Sequence, residues 1–418
     1  MVDDSAAREA PTRREYVKYG GAVIGGGVLA GCTGQSGPGS TSTDESTAAD
    51  APTETSTGTP RETKTATSNE TTGNTAGTTA GGSYSVEVVP VGKVAFESTP
   101  ETWSTYFPGY ADMGVALGMA DRLRAIGAAD RYYTAYYEDL DGVSLDISNL
   151  TTLLGDSGID KELFYEVDAD VHLTDPNWLR NNSAFKLEES DIDTIATEVA
   201  PFVGNTVFRR TDEWHDYRYY TMYGAFEKVA EVFRRTDRYD AFETLHDTFL
   251  GDIQGDLPGP DERPAGLLVF AAGDEPEAFY PYRIGDRGTN KKHFHDLGVT
   301  DALAGTGIAG LSTNERGQID YETILQVDPQ AIFVRGHERK TRTEFEDTVV
   351  SFMKKHSIAR ELTAVQNGDV YRGGPIYQGP IQNLFLTERF ARLLYPDACS
   401  DEELFDRGQV ADIVDGNP

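Results

Sequence analysis

Two stretches of the sequence, "IDKELFYEVDADVHL" at 159–173 and "IDYETILQVDPQAIF" at 319–333, resemble each other and decide the fold. A second pair, "LGMADRL" at 117–123 and "LGVTDAL" at 297–303, falls in the same order along the chain. Repeats at such long offsets indicate two similar lobes, each built from one reused supersecondary unit. In the first pair the identical residues are Ile159/Ile319, Asp160/Asp320, Glu162/Glu322, Val167/Val327 and Asp168/Asp328.

Each copy has the pattern of a helix that leads into a buried strand. Apolar residues stand at helical spacing, an Asp-Ala or Asp-Pro break follows, and an extended run comes next, "DVHLTD" or "AIFVRG". Because proline disfavours helical geometry in the residue before it, the second helix should stop at Asp328. Strands that alternate with helices predict α/β lobes with parallel sheets. The other strand-like runs are "VEVVPV" (86–91), "LRAIGA" (123–128), "GLLVFAA" (266–272) and "GDVYRGG" (368–374).

A long helix is predicted between the two copies, in the segment 217–253. Met222, Phe226, Val229 and Phe233 recur at i, i+4, i+7 and i+11, which makes one apolar stripe without internal proline. We therefore expect two lobes joined by one long helix. The expected boundaries are 83–211 for the N-terminal lobe, 212–253 for the connecting helix and 254–418 for the C-terminal lobe.

The start of the chain, "TRREYVKYGGAVIGGGVLAGC" at 12–32, has the layout of an export signal. Its apolar part is too short and too rich in glycine to span a bilayer as a stable helix. The adjacent Arg13 and Arg14 resemble a twin-arginine signal, and "LAGC" resembles a lipobox, in which Cys32 takes a lipid. A disulfide with Cys399, or a buried helix with a free cysteine, are the alternatives for Cys32.

Residues 33–82 contain no Ile, Leu, Val, Met, Phe, Tyr or Trp, and Ser, Thr, Gly and acidic residues dominate them. Such a segment cannot bury enough apolar area to offset its ordering entropy, so a disordered tether is predicted. Its sequon, Asn69-Glu70-Thr71, could carry sugar in an exported protein. We expect a globular body anchored by lipid at the extracellular face of the cytoplasmic membrane.

The composition is strongly acidic. The 418 residues carry 69 Asp and Glu against 37 Lys and Arg, a formal charge of −32, and only eleven of the basic residues are lysines. A charge of this size opposes binding to nucleic acid or anionic lipid. The bias resembles proteins of salt-loving archaea, in which salt screens the repulsion between dense carboxylates.

The segments "ELFYEVDADV" (162–171) and "YETILQVDPQAIFV" (321–334) resemble substrate-binding proteins of ATP-driven (ABC) importers, in the ferric-siderophore and cobalamin class. The stretches 351–374 and 377–397 are similar to the closing part of that family. The resemblance implies the class III periplasmic binding protein architecture, two Rossmann-like lobes with a single-helix hinge and the ligand between them. It also implies an ABC permease and its ATPase as partners, a monomer without a cofactor, and one acidic docking residue on each lobe, for which Glu315 is a candidate.

Ligands of open α/β sheets bind beyond the carboxyl ends of the strands, so the loops that follow the predicted strands are the candidate site. These loops are rich in aromatic residues, which suit a large ligand, and in arginines, which suit an anionic one. Within the ligand class that the resemblance implies, these residues favour a ferric siderophore, with cobalamin or haem as the alternatives. The predicted ligand-binding residues are Trp103, Tyr106, Tyr110, Tyr137, Trp178, Arg180, Tyr280, Tyr282, Arg283, Arg335 and Tyr377.

Three other interpretations remain open from the residues alone. Bare-metal capture would use His293, His295 and His337, because a His-x-His pair can place two imidazoles near one ion. Tyrosine phenolates could hold ferric iron directly. A membrane-anchored hydrolase would need a nucleophile or metal motif, and neither Gly-x-Ser-x-Gly nor His-Glu-x-x-His occurs in the sequence. A binding protein and not an enzyme is therefore expected.

Overall fold

The computed structural model describes residues 82–401 and 403–417. The predicted export signal with Arg13 and Arg14, the lipidation site Cys32 and the tether 33–82 lie outside the described residues, apart from Gly82 at the end of the tether. Among the described helices, none combines the length and the apolar character that a membrane span needs.

The strands and helices alternate as the sequence predicts. The strands are β1 (Tyr84–Val88), β2 (Gly92–Phe96), β3 (Trp103–Thr105), β4 (Leu123–Ile126), β5 (Thr151–Thr152), β6 (Leu154–Gly155), β7 (Gly158–Ile159), β8 (Val171–His172), β9 (Ala265–Phe270), β10 (Tyr280–Tyr282), β11 (Thr300–Asp301), β12 (Ala331–Arg335) and β13 (Val370–Arg372). The α-helices are α1 (Pro108–Ala116), α2 (Glu162–Val167), α3 (Pro176–Asn181), α4 (Glu189–Glu198), α5 (Met222–Phe233), α6 (Thr236–Asp256), α7 (Lys292–Asp296), α8 (Tyr321–Val327), α9 (Arg342–Phe345), α10 (Ser351–Lys355), α11 (Thr363–Asn367), α12 (Pro380–Leu394) and α13 (Arg407–Asp415). A π-helical turn, Glu346–Val350, joins α9 to α10.

Each lobe is built on its own sheet. The N-terminal sheet has the order β5-β4-β3-β8, and its neighbouring strands are all parallel. In the C-terminal sheet β9 pairs in parallel with β11 and β12, β12 pairs in parallel with β13, and β10 adds an antiparallel strand. The predicted fold class, two α/β lobes with parallel sheets, is confirmed.

The duplication recurs in the topology. The order β4-β3-β8 in one lobe matches β11-β9-β12 in the other. Helices α2 and α8 both end at an aspartate in the left-handed conformation, with φ 46° at Asp168 and 43° at Asp328. The second repeated motif also keeps its geometry, since Gly118 and Gly298 both have φ 68°. The helix stop predicted at Asp328 is confirmed.

The run 86–91 contributes to a strand, as predicted, but this strand, β1, belongs to neither of the two lobe sheets. Among the described strands β1 pairs only with β2, in an antiparallel hairpin that packs against α5. The strand that begins the N-terminal sheet is instead β3, in a segment that was predicted to be a loop. Three residues are too few for a periodic pattern to reveal a strand.

The predicted connecting helix is divided in two. The apolar stripe lies on α5, and the chain leaves helical geometry at Arg234, which has φ 52°, before the 21-residue helix α6 begins. The interruption lets the two helices pack against each other, and α5 also packs on β1 and α1 whereas α6 packs on α13. Helix α6 then leads into the C-terminal sheet.

Helix α12 joins the two lobes. It packs against α1 of the N-terminal lobe on one side and α7 of the C-terminal lobe on the other. Asp112 of α1 accepts hydrogen bonds from the backbone N–H groups of Ile381 and Gln382, at 2.9 and 3.2 Å, in the first turn of α12. These N–H groups have no partner within the helix, so the carboxyl of Asp112 caps α12 across the junction.

Candidate functional site

The carboxyl ends of the parallel strands in the two lobes point toward a shared junction. Strand β3 leads through Tyr106 and Phe107 into α1, and β13 is followed by the loop of Tyr377 and Gln378 that leads into α12. The two segments meet at Gly109, where an added Cβ would lie 2.8 Å from the carbonyl oxygen of Gln378. Only a glycine permits this approach.

Aromatic rings from both lobes fill the junction. The Phe107 ring lies 5.6 Å from Tyr377 and 5.4 Å from Phe208, centroid to centroid, and Phe208 and Tyr377 are 4.9 Å apart. The cavity between these rings, Tyr110 and Gln378 measures about 10 Å³, which is about the space of one water molecule. In this conformation the junction is therefore closed on its own side chains, and a ligand enters only if the lobes or the rings move apart.

Four basic side chains lie around the aromatic cluster. The guanidinium of Arg335 lies 4.8 Å from the centre of the Tyr282 ring, and the positive charges of Arg131 and Arg209 act on Tyr377. Lys291, buried beside Arg209 and Arg335, is the fourth. We call Arg131, Arg209, Lys291 and Arg335, with Tyr106, Tyr282 and Tyr377, the junction cluster.

Arg335 is the most deeply buried cation of the junction cluster. It has no exposed surface, and burial lowers the pKa of its guanidinium to about 10. It donates hydrogen bonds to the carbonyl oxygens of Gly373 and Asn290, while its Nη1 has no partner among the described residues. No carboxylate oxygen of the described residues lies within 4 Å of its guanidinium nitrogens. A buried cation left in this state is a candidate to receive a ligand anion.

The phenol groups of Tyr106 and Tyr377 are held in the neutral state. Burial raises the pKa of Tyr106 well above its ordinary value, and burial also raises the pKa of Tyr377. Neutral phenols are suited to stacking and hydrogen bonding. Direct coordination of iron through these two groups would first require an unfavourable deprotonation in a buried site.

The structure brings four of the predicted site residues together, namely Tyr106, Tyr282, Arg335 and Tyr377. Two more lie next to them. Tyr110 lines the same cavity, and its hydroxyl donates to the Asn205 carbonyl at 3.0 Å. Trp178 packs one layer behind the cavity, against Phe107 and Phe208.

The other predicted residues lie elsewhere. Tyr137 is buried with Asp112, to which its hydroxyl donates at 2.5 Å, and Arg180 is near the surface with Asn177 and Glu189. Arg283 binds Asp301 at 2.7 Å, and Tyr280 is half-buried in β10.

Trp103 was wrongly expected in a loop at the site. It is the first residue of β3, so it lies at the amino end of the strand, away from the junction. It has no exposed surface. Its indole N–H donates to the Met119 carbonyl at 3.0 Å, and its ring contacts Phe233 edge-on. Its role is therefore in the core of the N-terminal lobe.

The three histidines proposed for metal binding do not converge. The Nδ1 of His293 faces Gln378, His295 bonds to the Ile284 carbonyl, and His337 packs against Phe345. Within the described residues, no three His, Cys, Asp or Glu side chains lie close enough together to hold an ion. The alternative of a bare-metal site built on these histidines is thus not supported by the geometry.

The prediction from sequence missed Arg131, Arg209 and Lys291, together with Phe107 and Phe208. Arg131 lies in the tyrosine-rich segment 129–139, which directly follows the predicted strand 123–128, so its charge could have been noticed. Arg209 and Phe208 lie in the irregular segment 201–221, which has no periodicity to orient its side chains. Backbone hydrogen bonds from Thr289 to Val207 and from Asn290 to Phe208 attach this segment to the second lobe.

Comparison with known proteins agrees with this architecture. Residues 104–377, more than half of the chain, match the periplasmic binding protein family. The chain belongs to the periplasmic binding protein family. Its members bind solutes for transporters, so the prediction of a binding protein and not an enzyme is confirmed.

Solved structures of this family share the fold at low sequence identity. A periplasmic binding protein from Veillonella parvula has a TM-score of 0.54 at 16% identity, covering 76% of this chain and 99% of its own. The petrobactin-binding protein YclQ from Bacillus subtilis has a TM-score of 0.52 at 15% identity, covering 77% and 99%. Helicobacter pylori CeuE in a complex with nickel and histidine has a TM-score of 0.53 at 12% identity, covering 79% and 95%. No curated protein matches the chain by sequence.

Proposed function

We propose that this periplasmic binding protein is the substrate-binding component of an ABC importer and captures an anionic ferric siderophore between its lobes. The observation that carries the proposal is the junction cluster, in which three arginines and the amine of Lys291 lie around three tyrosines at the carboxyl ends of the strands. Because the chain as a whole has a charge of −32, a concentration of cations at this one junction marks it for an anionic ligand. The tyrosines supply faces for an aromatic or extended chelator.

The choice of ligand rests on the site and not on the fold. One protein of the same fold is named for petrobactin and another is complexed with nickel and histidine, so the fold accommodates different ligands. The buried, unpaired charge of Arg335 costs free energy in the empty protein, and an anion would compensate it. A neutral chelate or a corrinoid would compensate the charge of Arg335 less. We therefore rank these ligands below an anionic chelate.

The test is an absorption and fluorescence titration of the full chain, produced in a high-salt host, with an anionic ferric tris-catecholate, a neutral ferric trihydroxamate, cobalamin and haem. We expect saturable binding of the anionic chelate. Arg335→Met should weaken it about tenfold or more, because a hydrogen bond to a charged group contributes about 1.5–3 kcal/mol. Arg180→Met, which removes the same charge near the surface, should leave the affinity unchanged. Equal affinity for neutral and anionic chelates, or equal effects of the two variants, would contradict the proposal.

Docking to the permease is proposed to use equivalent acidic residues on the two lobes. Ile319 lies 160 residues after Ile159, and this offset pairs Glu162 with Glu322, both exposed at the starts of α2 and α8. The same offset pairs Glu315 with Gly155, so the earlier candidate has no acidic counterpart. Two similar lobes present equivalent surfaces, which favours the pair of Glu162 and Glu322 for docking.

Charge reversal tests this docking surface. The double variant Glu162→Arg/Glu322→Arg should lose uptake in cells that depend on this protein while it keeps its affinity for the chelate in solution. The matched control is Glu189→Arg/Glu346→Arg, which changes one exposed glutamate on each lobe at positions that the duplication does not relate. Equal losses of uptake in both double variants would show a general effect of charge and refute the assignment.

Export and anchoring are proposed from the start of the chain. Arg13 and Arg14 would direct the folded chain through a twin-arginine route, and lipid on Cys32 would hold it at the extracellular face of the membrane by the tether 33–82. Cys32→Ala should move the protein from the membrane fraction to the medium, and replacing both arginines by lysine should keep it inside the cell. Retention of Cys32→Ala in the membrane fraction would exclude the lipid anchor.

A further inference from the structure

Lys291 is a buried lysine without an ion-pair partner in the described structure. It lies between Asn290 and α7 and is 1% exposed. No carboxylate of the described residues is within 4 Å of its Nζ, whereas its neighbour Lys292 binds Asp296 at 2.6 Å. Lysine is very rarely buried without a partner, because its ammonium loses its hydration.

The charged groups around Lys291 come from four different elements. Asp286 precedes it on the loop after β10, and Asp301 lies in β11, where it is already bound by Arg283. Two cations of the junction cluster also act on Lys291, namely Arg209 from the segment 201–221 and Arg335 from β12. Arg209 is itself neutralised by Asp212 at 2.8 Å, whereas Arg335 has no carboxylate.

The balance of these effects makes the neutral amine the major form of Lys291 above about pH 7 when the site is empty. Burial is the largest effect, and together with the two nearby guanidinium groups it outweighs the attraction of Asp286 and Asp301, which lowers the pKa of Lys291 to about 7. The side chain of the adjacent Asn290 also lacks hydrogen bonds, since neither its amide nitrogen nor its amide oxygen has a partner among the described residues. Asn290, Lys291 and Arg335 thus form a buried polar group beside the junction, in which the backbone carbonyl of Asn290 accepts a hydrogen bond from Arg335.

We infer that Lys291 takes up a proton when an anionic ligand binds, and that it thereby makes the site selective for negatively charged chelates. The inference rests on the proposed function, since it assigns to the proposed site a residue whose charge depends on the ligand. An anion beside Lys291 supplies the counter-charge that the protein lacks, so the ammonium form becomes favourable in the complex. A neutral ligand supplies none and leaves Lys291 as the amine.

This coupling makes affinity depend on pH in a defined direction. Above pH 7 the empty protein holds Lys291 largely neutral, so each binding event must draw a proton from the buffer. The affinity for the anionic chelate should therefore fall as pH rises, by up to about tenfold per pH unit for one proton. The affinity for a neutral chelate should be insensitive to pH over the same range.

The experiment is calorimetric titration of the full chain at about pH 8.5 in buffers of different ionisation enthalpy. The probes are a ferric tris-catecholate, which is anionic, and a ferric trihydroxamate, which is neutral. We expect uptake of about one proton per tris-catecholate bound. Lys291→Arg, which stays charged, should bind the tris-catecholate without proton uptake and with little dependence on pH. Lys291→Met should lose affinity for the tris-catecholate and also lose the proton uptake.

Lys292→Arg serves as the matched control, since it changes the adjacent, already paired lysine, and its proton uptake should equal that of the wild type. Circular dichroism and the thermal midpoint check that each variant is folded. Tris-catecholate binding without proton uptake in the wild type, or uptake that persists in Lys291→Arg, overturns the inference and leaves the proposed function intact. Absence of binding by either ferric probe overturns both.

Discussion

Trp103 illustrates how a single residue can be assigned to the wrong place from sequence. Its rarity and its position before several tyrosines suggested a ligand contact, but it begins a three-residue strand of the N-terminal sheet and has no exposed surface. Its ring fills the space over Gly114, where an added Cβ would lie 2.3 Å from the indole. The role of Trp103 is therefore packing in the core and not contact with a ligand from an exposed loop.

This packing predicts a loss of stability without a change in binding. Trp103→Ala should lower the free energy of unfolding by about 3–5 kcal/mol, because it removes a large buried side chain and leaves a cavity. Gly114→Ala should also destabilise, because its methyl group clashes with the indole, and the double variant should be less destabilised than the sum of the two. Denaturant unfolding measures the stabilities. Additive effects would show that the two residues are not coupled, and a change in chelate affinity would return Trp103 to the site.

Asp112 predicts a specific dependence of stability on pH. Burial raises the pKa of its carboxyl to about 7, although the hydroxyl of Tyr137 and the backbone of α12 partly oppose this shift. An acid whose pKa is higher in the folded state contributes most at low pH, and this contribution is lost as pH rises from about 4 to about 7.

Asp112→Asn should remove this part of the pH dependence. The difference in unfolding free energy between variant and wild type should change by up to about 1.4 kcal/mol per pH unit between about pH 4 and 7. Above that window the difference should be constant. Denaturant unfolding over this range measures it, and the exposed Asp141→Asn is the control. A difference that is flat throughout would mean that Asp112 titrates normally.

At the scale of elements, helices α2 and α8 show what the duplication preserves and what it does not. Both end at a left-handed aspartate, a conformation that favours glycine. Asp328 also accepts hydrogen bonds from the backbone N–H and the hydroxyl of Thr363, at 2.9 and 2.8 Å, whereas Asp168 has no side-chain hydrogen bond within the described residues. The same local geometry therefore serves two different tertiary environments.

Glycine substitutions at the two helix ends should have opposite effects. Asp168→Gly should raise the free energy of unfolding by about 0.5 kcal/mol, because it relieves the left-handed backbone at no cost in contacts. Asp328→Gly should lower it by about 1–2 kcal/mol, because two hydrogen bonds are lost. Each variant removes one negative charge, so the comparison is matched. Effects of the same sign, measured by urea unfolding, would show that backbone conformation or charge outweighs the tertiary contacts.

The helix stretch 217–253 shows the limit of periodicity at this scale. The spacing of apolar residues correctly predicted helical structure, but it did not reveal the interruption at Arg234. Nothing in the local sequence "FRRTD" breaks a helix as proline would. On the two sides of the break α5 packs on β1 and α1 and α6 packs on α13, while both contact α12, and these contacts are a property of the assembled lobes.

For the whole molecule, the charge of −32 predicts a strong dependence on salt. The thermal midpoint should rise as KCl increases from about 0.1 M to about 1 M, since the Debye length falls from about 10 Å to about 3 Å and the repulsion between carboxylates is screened. Sucrose at equal osmolality should raise the midpoint less. An equal rise in sucrose would indicate a general solute effect instead of charge screening, and would remove the argument for a halophilic protein.

The sequence by itself determined the two α/β lobes, the duplicated helix-strand units and the character of the chain as a binding protein. These features follow from local pattern, because hydrophobic periodicity, turn residues and repeated motifs act over a few neighbouring residues. Only the tertiary structure decided which side chains meet at the junction. Arg131, Arg209, Lys291 and Tyr377 are far apart in the chain, and burial within packed lobes sets both their contacts and their charges. No short-range pattern carries that information, because desolvation depends on every element packed around a group.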